Sequence, residues 1–72
     1  MKVYCDSAGL LEVAADKGLG LYGVAKITKS SAETIKRIIS GEPVLMATAN
    51  RIFKSLGKDP RLKIWHDKPK LI

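Results

Sequence analysis

Apolar residues recur at helical spacing in several stretches of this chain, each bounded by residues that favour a helix end. The first helix is predicted after a cap at Asp6 or Ser7 and before Gly18. Its expected apolar stripe is Leu10, Leu11, Ala14 and Ala15. A second helix is predicted to open at Gly20, and its apolar positions are Leu21, Val24, Ala25 and Thr28. The two stripes predict one side of a small helical core.

Two further helices are predicted in the second half of the chain. The third runs from about Ala32 to Ser40 and stops at Gly41. Pro43 prevents a simple continuation, and a fourth stripe follows it before Gly57. This stripe consists of Leu45, Ala49, Ile52, Phe53 and Leu56, with Phe53 the largest core side chain. The expected fold class is therefore mainly α, with four to five helices.

The ends of the chain have strand character instead. Lys2–Cys5 and Arg61–His66 are rich in strand-forming residues, and they could pair within one chain or between two chains. An isolated strand pair is only marginally stable in water. The pair would therefore require Leu62, Ile64 or Trp65 to pack on the helices.

The third predicted helix has two chemically different faces. On a wheel of 100° per residue, one side carries Thr34, Ile35, Ile38 and Ile39. The opposite arc, roughly 140° wide, carries Ala32, Glu33, Lys36, Arg37 and Ser40. One face can pack on a core while the other meets a partner.

The stretch from Ala25 to Gly41 has the layout of two short helices joined by a tight turn, which is typical of helix-turn-helix DNA-binding proteins. The positions that support a comparison are Gly18-Leu19, Val24-Ala25, Ser31-x-x-Thr34-Ile35-x-x-Ile38-x-x-Gly41 and Ser55-Leu56-Gly57. With these residues the chain resembles the Cro and phage-repressor (XRE-type) helix-turn-helix family over residues 8–57. The resemblance implies that Ala25 lets the two helices cross closely, that Ser31 caps the second helix near DNA, and that Ile35 and Ile38 face the core.

Three positions differ from the family pattern. Lys29 stands where the family usually has a left-handed glycine in the turn, and Ser30 stands where it usually has an aliphatic residue. Leu21 stands where the family often has a glutamine that touches DNA. A lysine in a left-handed conformation costs on the order of 1 kcal/mol of strain.

The net charge of +6 is unevenly distributed. Residues 1–23 carry two basic and three acidic residues, residues 24–41 four and one, residues 42–57 two and one, and residues 58–72 five and two. The positive charge thus lies on the motif and on a basic C-terminal extension, residues 58–72, of a single domain spanning residues 1–72. Such a distribution attracts a polyanion, although a solvated basic face without a partner is the alternative.

Eight positions are expected to take part in DNA contact: Tyr22, Lys29, Ser31, Ala32, Glu33, Lys36, Arg37 and Ser40. Lys36 and Arg37 can hold phosphate or guanine, and Lys29 in the turn suits a phosphate. Ala32 can touch a thymine methyl group or simply allow close approach.

Two of these positions have a second interpretation. Glu33 can accept a hydrogen bond from cytosine N4, or it can complete a capping box in which Ser30 is the N-cap. Tyr22 can reach the DNA backbone or pack on the protein.

The remaining composition argues against catalysis and against metal or cofactor binding. The chain has one cysteine, Cys5, and one histidine, His66, and it lacks a glycine-rich phosphate loop. A lone cysteine excludes an intramolecular disulfide and indicates a reducing compartment, and no apolar run approaches the ~18 residues of a membrane span. A cytoplasmic protein that is not an enzyme, with no small-molecule ligand and no membrane partner, is expected.

The sequence therefore predicts a binder of the major groove of double-stranded DNA. The resemblance implies a phage or mobile-element transcriptional repressor that acts as a homodimer on a near-palindromic operator. The alternatives are a protein-interaction module of the antirepressor or antitoxin kind and a DNA-bending or excision accessory protein. The apolar residues of the segment Arg61–Ile72 are expected to contribute to self-association.

Overall fold

Residues 1–69 form four helices and three short strands in the computed structural model, which describes this part of the chain. The helices are α1 (Ser7–Asp16), α2 (Leu21–Thr28), α3 (Ala32–Ile39) and α4 (Met46–Ser55). The strands are β1 (Lys2–Cys5), β2 (Val44–Leu45) and β3 (Ile64–Trp65). About half of the chain is helical, in agreement with the expected mainly α class. Leu71 and Ile72, which were expected to add to self-association, lie outside the described residues.

The three strands form one antiparallel sheet with β1 in the centre, in the order β2-β1-β3. Tyr4 is aligned with Trp65 in one ladder, and Val3 is aligned with Val44 in the other. The predicted pairing of the chain ends is therefore confirmed, and it occurs within one chain. The strand β2 was not predicted, because two residues carry too little pattern to distinguish a strand from the start of a helix.

The core lies between the helices and the inner face of the sheet. Every helix and β1 contribute residues that are 2% exposed or less: Val3, Leu10, Val13, Val24, Ile35, Ile38, Ala49 and Ile52. Thr28 is also buried, and its hydroxyl donates to the carbonyl oxygen of Val24 at 2.8 Å. This hydrogen bond explains why a polar residue can occupy the apolar stripe of α2.

The buried face of α1 differs from the predicted stripe. Asp6 is the N-cap, and its carboxylate accepts a hydrogen bond from the backbone of Gly9 at 2.9 Å. Leu10 and Ala14 are buried as expected, whereas Leu11 and Ala15 are exposed. The helix is rotated so that its buried residues are Gly9, Leu10, Val13 and Ala14.

The fourth stripe was wrong at its first member. Leu45 belongs to β2, where it pairs with Lys2, and its side chain is 54% exposed. The helix begins one residue later, at Met46. The rest of the stripe is confirmed, since Ala49, Ile52, Phe53 and Leu56 are all buried.

The segment after α4 crosses over the start of α1 and is held there by hydrogen bonds and ion pairs. The backbone N–H of Asp6 donates to the carbonyl oxygen of Lys63 at 2.9 Å. The guanidinium of Arg61 bonds both carboxylate oxygens of Asp59, at 3.0 and 2.9 Å, and lies 2.7 Å from the carboxylate of Asp16. The described part of the basic extension, residues 58–69, therefore belongs to the folded domain.

Candidate nucleic-acid interface

The turn between α2 and α3 contains the strained residue that the sequence predicts. Lys29 has φ 55° and ψ 38°, in the left-handed region, and it is the C-cap of α2. The N–H of Ser30 donates to the carbonyl oxygen of Ala25 at 2.9 Å, so the last turn of the helix is closed. The expectation for Lys29 is confirmed, and its side chain is exposed at the tip of the turn.

The cap of α3 is Ser31, as the resemblance implied. Its hydroxyl accepts a hydrogen bond from the N–H of Thr34 at 3.2 Å. The alternative capping box was wrong, because Ser30 precedes the N-cap and Glu33 is one position too early to reach back to it. Glu33 is exposed in the first turn of α3, where a carboxylate interacts favourably with the helix dipole.

The two faces of α3 are separated as predicted. Ile35 and Ile38 are each 1% exposed and hold the helix on the core. The exposed residues of the opposite face are Glu33, Lys36, Arg37 and Ser40, with Ala32 half-buried beside them. Within residues 1–69, neither Lys36 nor Arg37 forms a salt bridge. Lys36 and Arg37 are thus available to a ligand, on a helix whose opposite face packs on the core.

Tyr22 projects from the first turn of α2. Its side chain is 71% exposed, so the interpretation in which it packs on the protein is wrong. The structure places it at the N-terminal end of the helix that precedes α3, away from the turn at Lys29.

Arg51 was missed by the sequence analysis and lies next to the turn. Its guanidinium donates to the hydroxyl of Ser30 at 3.1 Å, although the two residues are 21 positions apart. Arg51 is exposed on α4, and its position at this site depends on how α4 packs against α2. No sequence pattern links it to the turn, but the serine in place of an aliphatic residue provides the hydroxyl that it binds.

Lys2 was missed as well and lies near Thr34 and Arg37 of α3. It lines a shallow groove of about 290 Å³ together with Thr34 and Arg37 of α3 and Thr48 of α4. The ladder between β1 and β2 brings Lys2 there, since Lys2 pairs with Leu45 just before α4. Basic residues of two other elements therefore lie near α3, Arg51 at the turn before it and Lys2 beside Arg37.

The cationic charge of the C-terminal segment is organised differently. Hydrogen bonds from Arg61 lower the pKa of Asp59 to about 2, and the same bonds, with the contact to Asp16, raise the pKa of Arg61. Arg61 is therefore bound to acidic residues of its own chain. This residue contributes less to an anion-binding surface than the sequence total implied.

Cys5 and Trp65 belong to the sheet. Cys5 is buried in β1, and burial raises the pKa of its thiol to about 11. Trp65 is half-buried in β3, and within residues 1–69 no group of three His, Cys, Asp or Glu residues lies close enough together to hold a metal ion. None of the helices in this range has both the length and the apolarity needed to cross a membrane.

No family model, curated protein or solved structure matches this chain.

Proposed function

We propose that this chain binds double-stranded DNA by placing the exposed face of α3 in the major groove, as a helix-turn-helix regulator of the Cro and repressor kind. The observation that supports the proposal best is the state of Lys36 and Arg37. Both are exposed and without a salt bridge in the described chain, on a helix that buries Ile35 and Ile38 on its other face. Solubility alone does not require exposed basic residues on a helix that is packed on the core and preceded by a left-handed turn.

Successive turns of α3 would make different contacts with DNA. Ala32 and Glu33 occupy its first turn, where side chains of a recognition helix meet base edges, and Glu33 would accept from cytosine N4. Lys36 and Arg37, one turn later, would hold guanine or phosphate. Ser40 follows the last turn and would contact the backbone.

Three further cations near α3 would contact phosphates. Lys29 and Arg51 lie at the turn before the helix, and Lys2 lies in the groove lined by Thr34 and Arg37. These three cations carry no information about sequence, but they would fix the position of α3 along the groove. Tyr22 would reach the backbone from the first turn of α2, where the usual glutamine is replaced by Leu21.

We further propose that the chain acts as a homodimer on a near-palindromic operator and represses transcription by occupying it. One recognition helix covers only a few base pairs, and two helices about 34 Å apart would read successive major grooves. A cytoplasmic phage or mobile-element regulator is the setting that the resemblance implies.

Selection from random DNA duplexes tests the proposal directly. We expect an enriched site with twofold symmetry and binding that weakens steeply with salt. The double variant Lys36→Ala, Arg37→Ala should lower the affinity for this site by roughly 2 kcal/mol or more, and its salt slope should fall by about 2 if both residues hold phosphates.

The matched control is Lys63→Ala, because Lys63 is exposed on the segment that crosses α1 and its structural contact uses only the backbone. This variant should change the salt slope by less than the double variant does. If no duplex is enriched, or if the double variant binds like the wild type, the proposed interface is wrong.

A further inference from the structure

An apolar groove that is open to solvent lies between the C-terminal half of α4 and the segment that follows it. Its volume is about 630 Å³, more than twice that of the groove beside Lys2 and Arg37. Phe53, Leu62 and Ile64 supply its apolar surface. Leu62 and Ile64 are half-buried, so each still presents part of its side chain to a ligand. None of the residues that line this groove belongs to the proposed DNA contact.

The rim of this groove is basic. Lys54 and Lys58 both line it, and both are exposed. The acidic residue in the lining is Asp59, and both of its carboxylate oxygens accept hydrogen bonds from Arg61, at 2.9 to 3.0 Å. Its negative charge is therefore already matched inside the chain. The lysines have no such partner among residues 1–69.

We propose that this groove binds an acidic amphipathic segment of a partner protein. Apolar side chains of the segment would rest on Phe53, Leu62 and Ile64, while its carboxylates would meet Lys54 and Lys58. An apolar floor with a basic rim is complementary to this chemistry, as in grooves that accept one face of an amphipathic helix.

The charges disfavour the two other occupants. A second copy that met this groove across a twofold axis would bring Lys54 and Lys58 of both chains together, and the acid in the lining is already bound to Arg61. A DNA backbone would match the lysines but would leave the apolar floor without a partner. The proposal is independent of DNA binding by α3.

The test is an NMR titration with a capped amphipathic peptide of about twelve residues, with leucines at i, i+3, i+4 and i+7 and glutamate elsewhere. A matched peptide carries lysine in place of each glutamate. We expect the acidic peptide to shift the amide resonances of Gly57, Leu62 and Ile64, and the lysine peptide to leave them unchanged.

Charge reversal on the rim sharpens the test. The double variant Lys54→Glu, Lys58→Glu should bind the acidic peptide at least about tenfold more weakly. Lys63→Glu, which reverses an exposed lysine outside the groove, should change the affinity by less than about twofold. The double variant and Lys63→Glu should both melt within a few degrees of the wild type, because Lys54, Lys58 and Lys63 are exposed.

Several outcomes would overturn the proposal. These are failure of the acidic peptide to bind, equal binding of the lysine peptide, and resonance shifts confined to α3. A dimer in sedimentation that the double variant dissociates would assign the groove to a second copy. A loss of DNA affinity in the double variant that exceeds the loss in Lys63→Glu would assign the rim to nucleic acid.

Discussion

Lys29 combines a structural cost with a position at the proposed interface. Among residues 1–69 it alone, glycines aside, has a positive φ. A side chain with a Cβ is disfavoured there, and a glycine would satisfy the same turn without strain. A lysine at this place is understandable if its charge is used, since the turn lies immediately before the N-cap of α3.

We therefore expect Lys29→Gly to raise the free energy of unfolding by up to about 1 kcal/mol, measured by chemical denaturation. The same variant should lose one phosphate contact and lower the salt slope of DNA binding by about 1. Lys26→Gly is the matched control, because Lys26 lies inside α2, where glycine costs about 1 kcal/mol. A less stable Lys29→Gly variant would contradict the assignment of strain to this residue.

Gly9 is required by a close approach of two parts of the backbone. A Cβ on Gly9 would lie 1.8 Å from the carbonyl oxygen of Arg61, a distance that no rotamer change can relieve. We expect Gly9→Ala to destabilise the domain by roughly 3 kcal/mol or more, although alanine favours helices.

Gly23→Ala is the control for Gly9→Ala. A Cβ there meets the movable side chain of Leu19 at 3.2 Å, and the residue lies within α2. The free energy of unfolding of Gly23→Ala should be unchanged or higher by up to about 1 kcal/mol in the same denaturation experiment. Similar losses in the two variants would argue against the close approach of residue 61.

At the scale of elements, the sequence predicts the helices well and the sheet only in part. The helices α2 and α3 follow from apolar spacing and from clear end signals at Gly20, Ser31 and Gly41. The stripe of α1 was misplaced because Gly9, which is buried, carries no hydrophobic signal, and Leu11, which is apolar, is exposed. Contacts between distant elements determine whether each of these two residues is buried or exposed. Periodicity within one helix carries no information about such contacts.

The ion pairs of Arg61 join the C-terminal segment to α1, and they give a prediction about pH. The pKa of Asp59 lies near 2 in the folded chain, below its ordinary value of 3.8. Because folding favours the ionised carboxylate, this stability is present above about pH 4 and is lost as the pH falls towards 2.

The variant Arg61→Met should therefore reduce the fall of the free energy of unfolding between pH 4 and pH 2. Denaturant melts at several pH values measure this slope. Arg51→Met serves as the control, since Arg51 bonds a serine hydroxyl and has no acidic partner in the described chain. An unchanged slope in Arg61→Met would mean that other carboxylates determine the acid sensitivity.

The candidate site shows the same division between local and distant information. Lys29, Lys36 and Arg37 could be predicted because they lie in one contiguous motif. Arg51 and Lys2 could not, because they reach α3 through the packing of α4 and through the ladder between β1 and β2. Residues that only the tertiary structure brings to a site show no regular spacing in the sequence.

At the scale of the whole molecule, the C-terminal segment has a structural role that a solvated tail would not have. A chain that ends at Asp59 would lose β3, the ion pairs of Arg61 and the packing of Leu62 and Ile64 on the core. We expect its free energy of unfolding to fall by roughly 2–4 kcal/mol in thermal and chemical melts.

A chain that ends at Pro69 is the control, since it keeps every one of these contacts. It should be more stable than the chain that ends at Asp59. It also tests self-association: if Leu71 and Ile72 contribute to a dimer, this chain should sediment as a smaller species or bind a full operator about as weakly as a half-site. Equal stability of the two shortened chains would show that the crossing segment does not support the fold.

The central position of β1 determines when the domain can be completed during synthesis. This strand is made before its partners, which follow about 40 and 60 residues later, at Val44 and Trp65. The helices can form from local contacts while the chain is still growing, but the sheet is complete only after Trp65 has been made. An interrupted translation product would therefore carry α2 and α3 without a closed core, and it would be open to proteolysis.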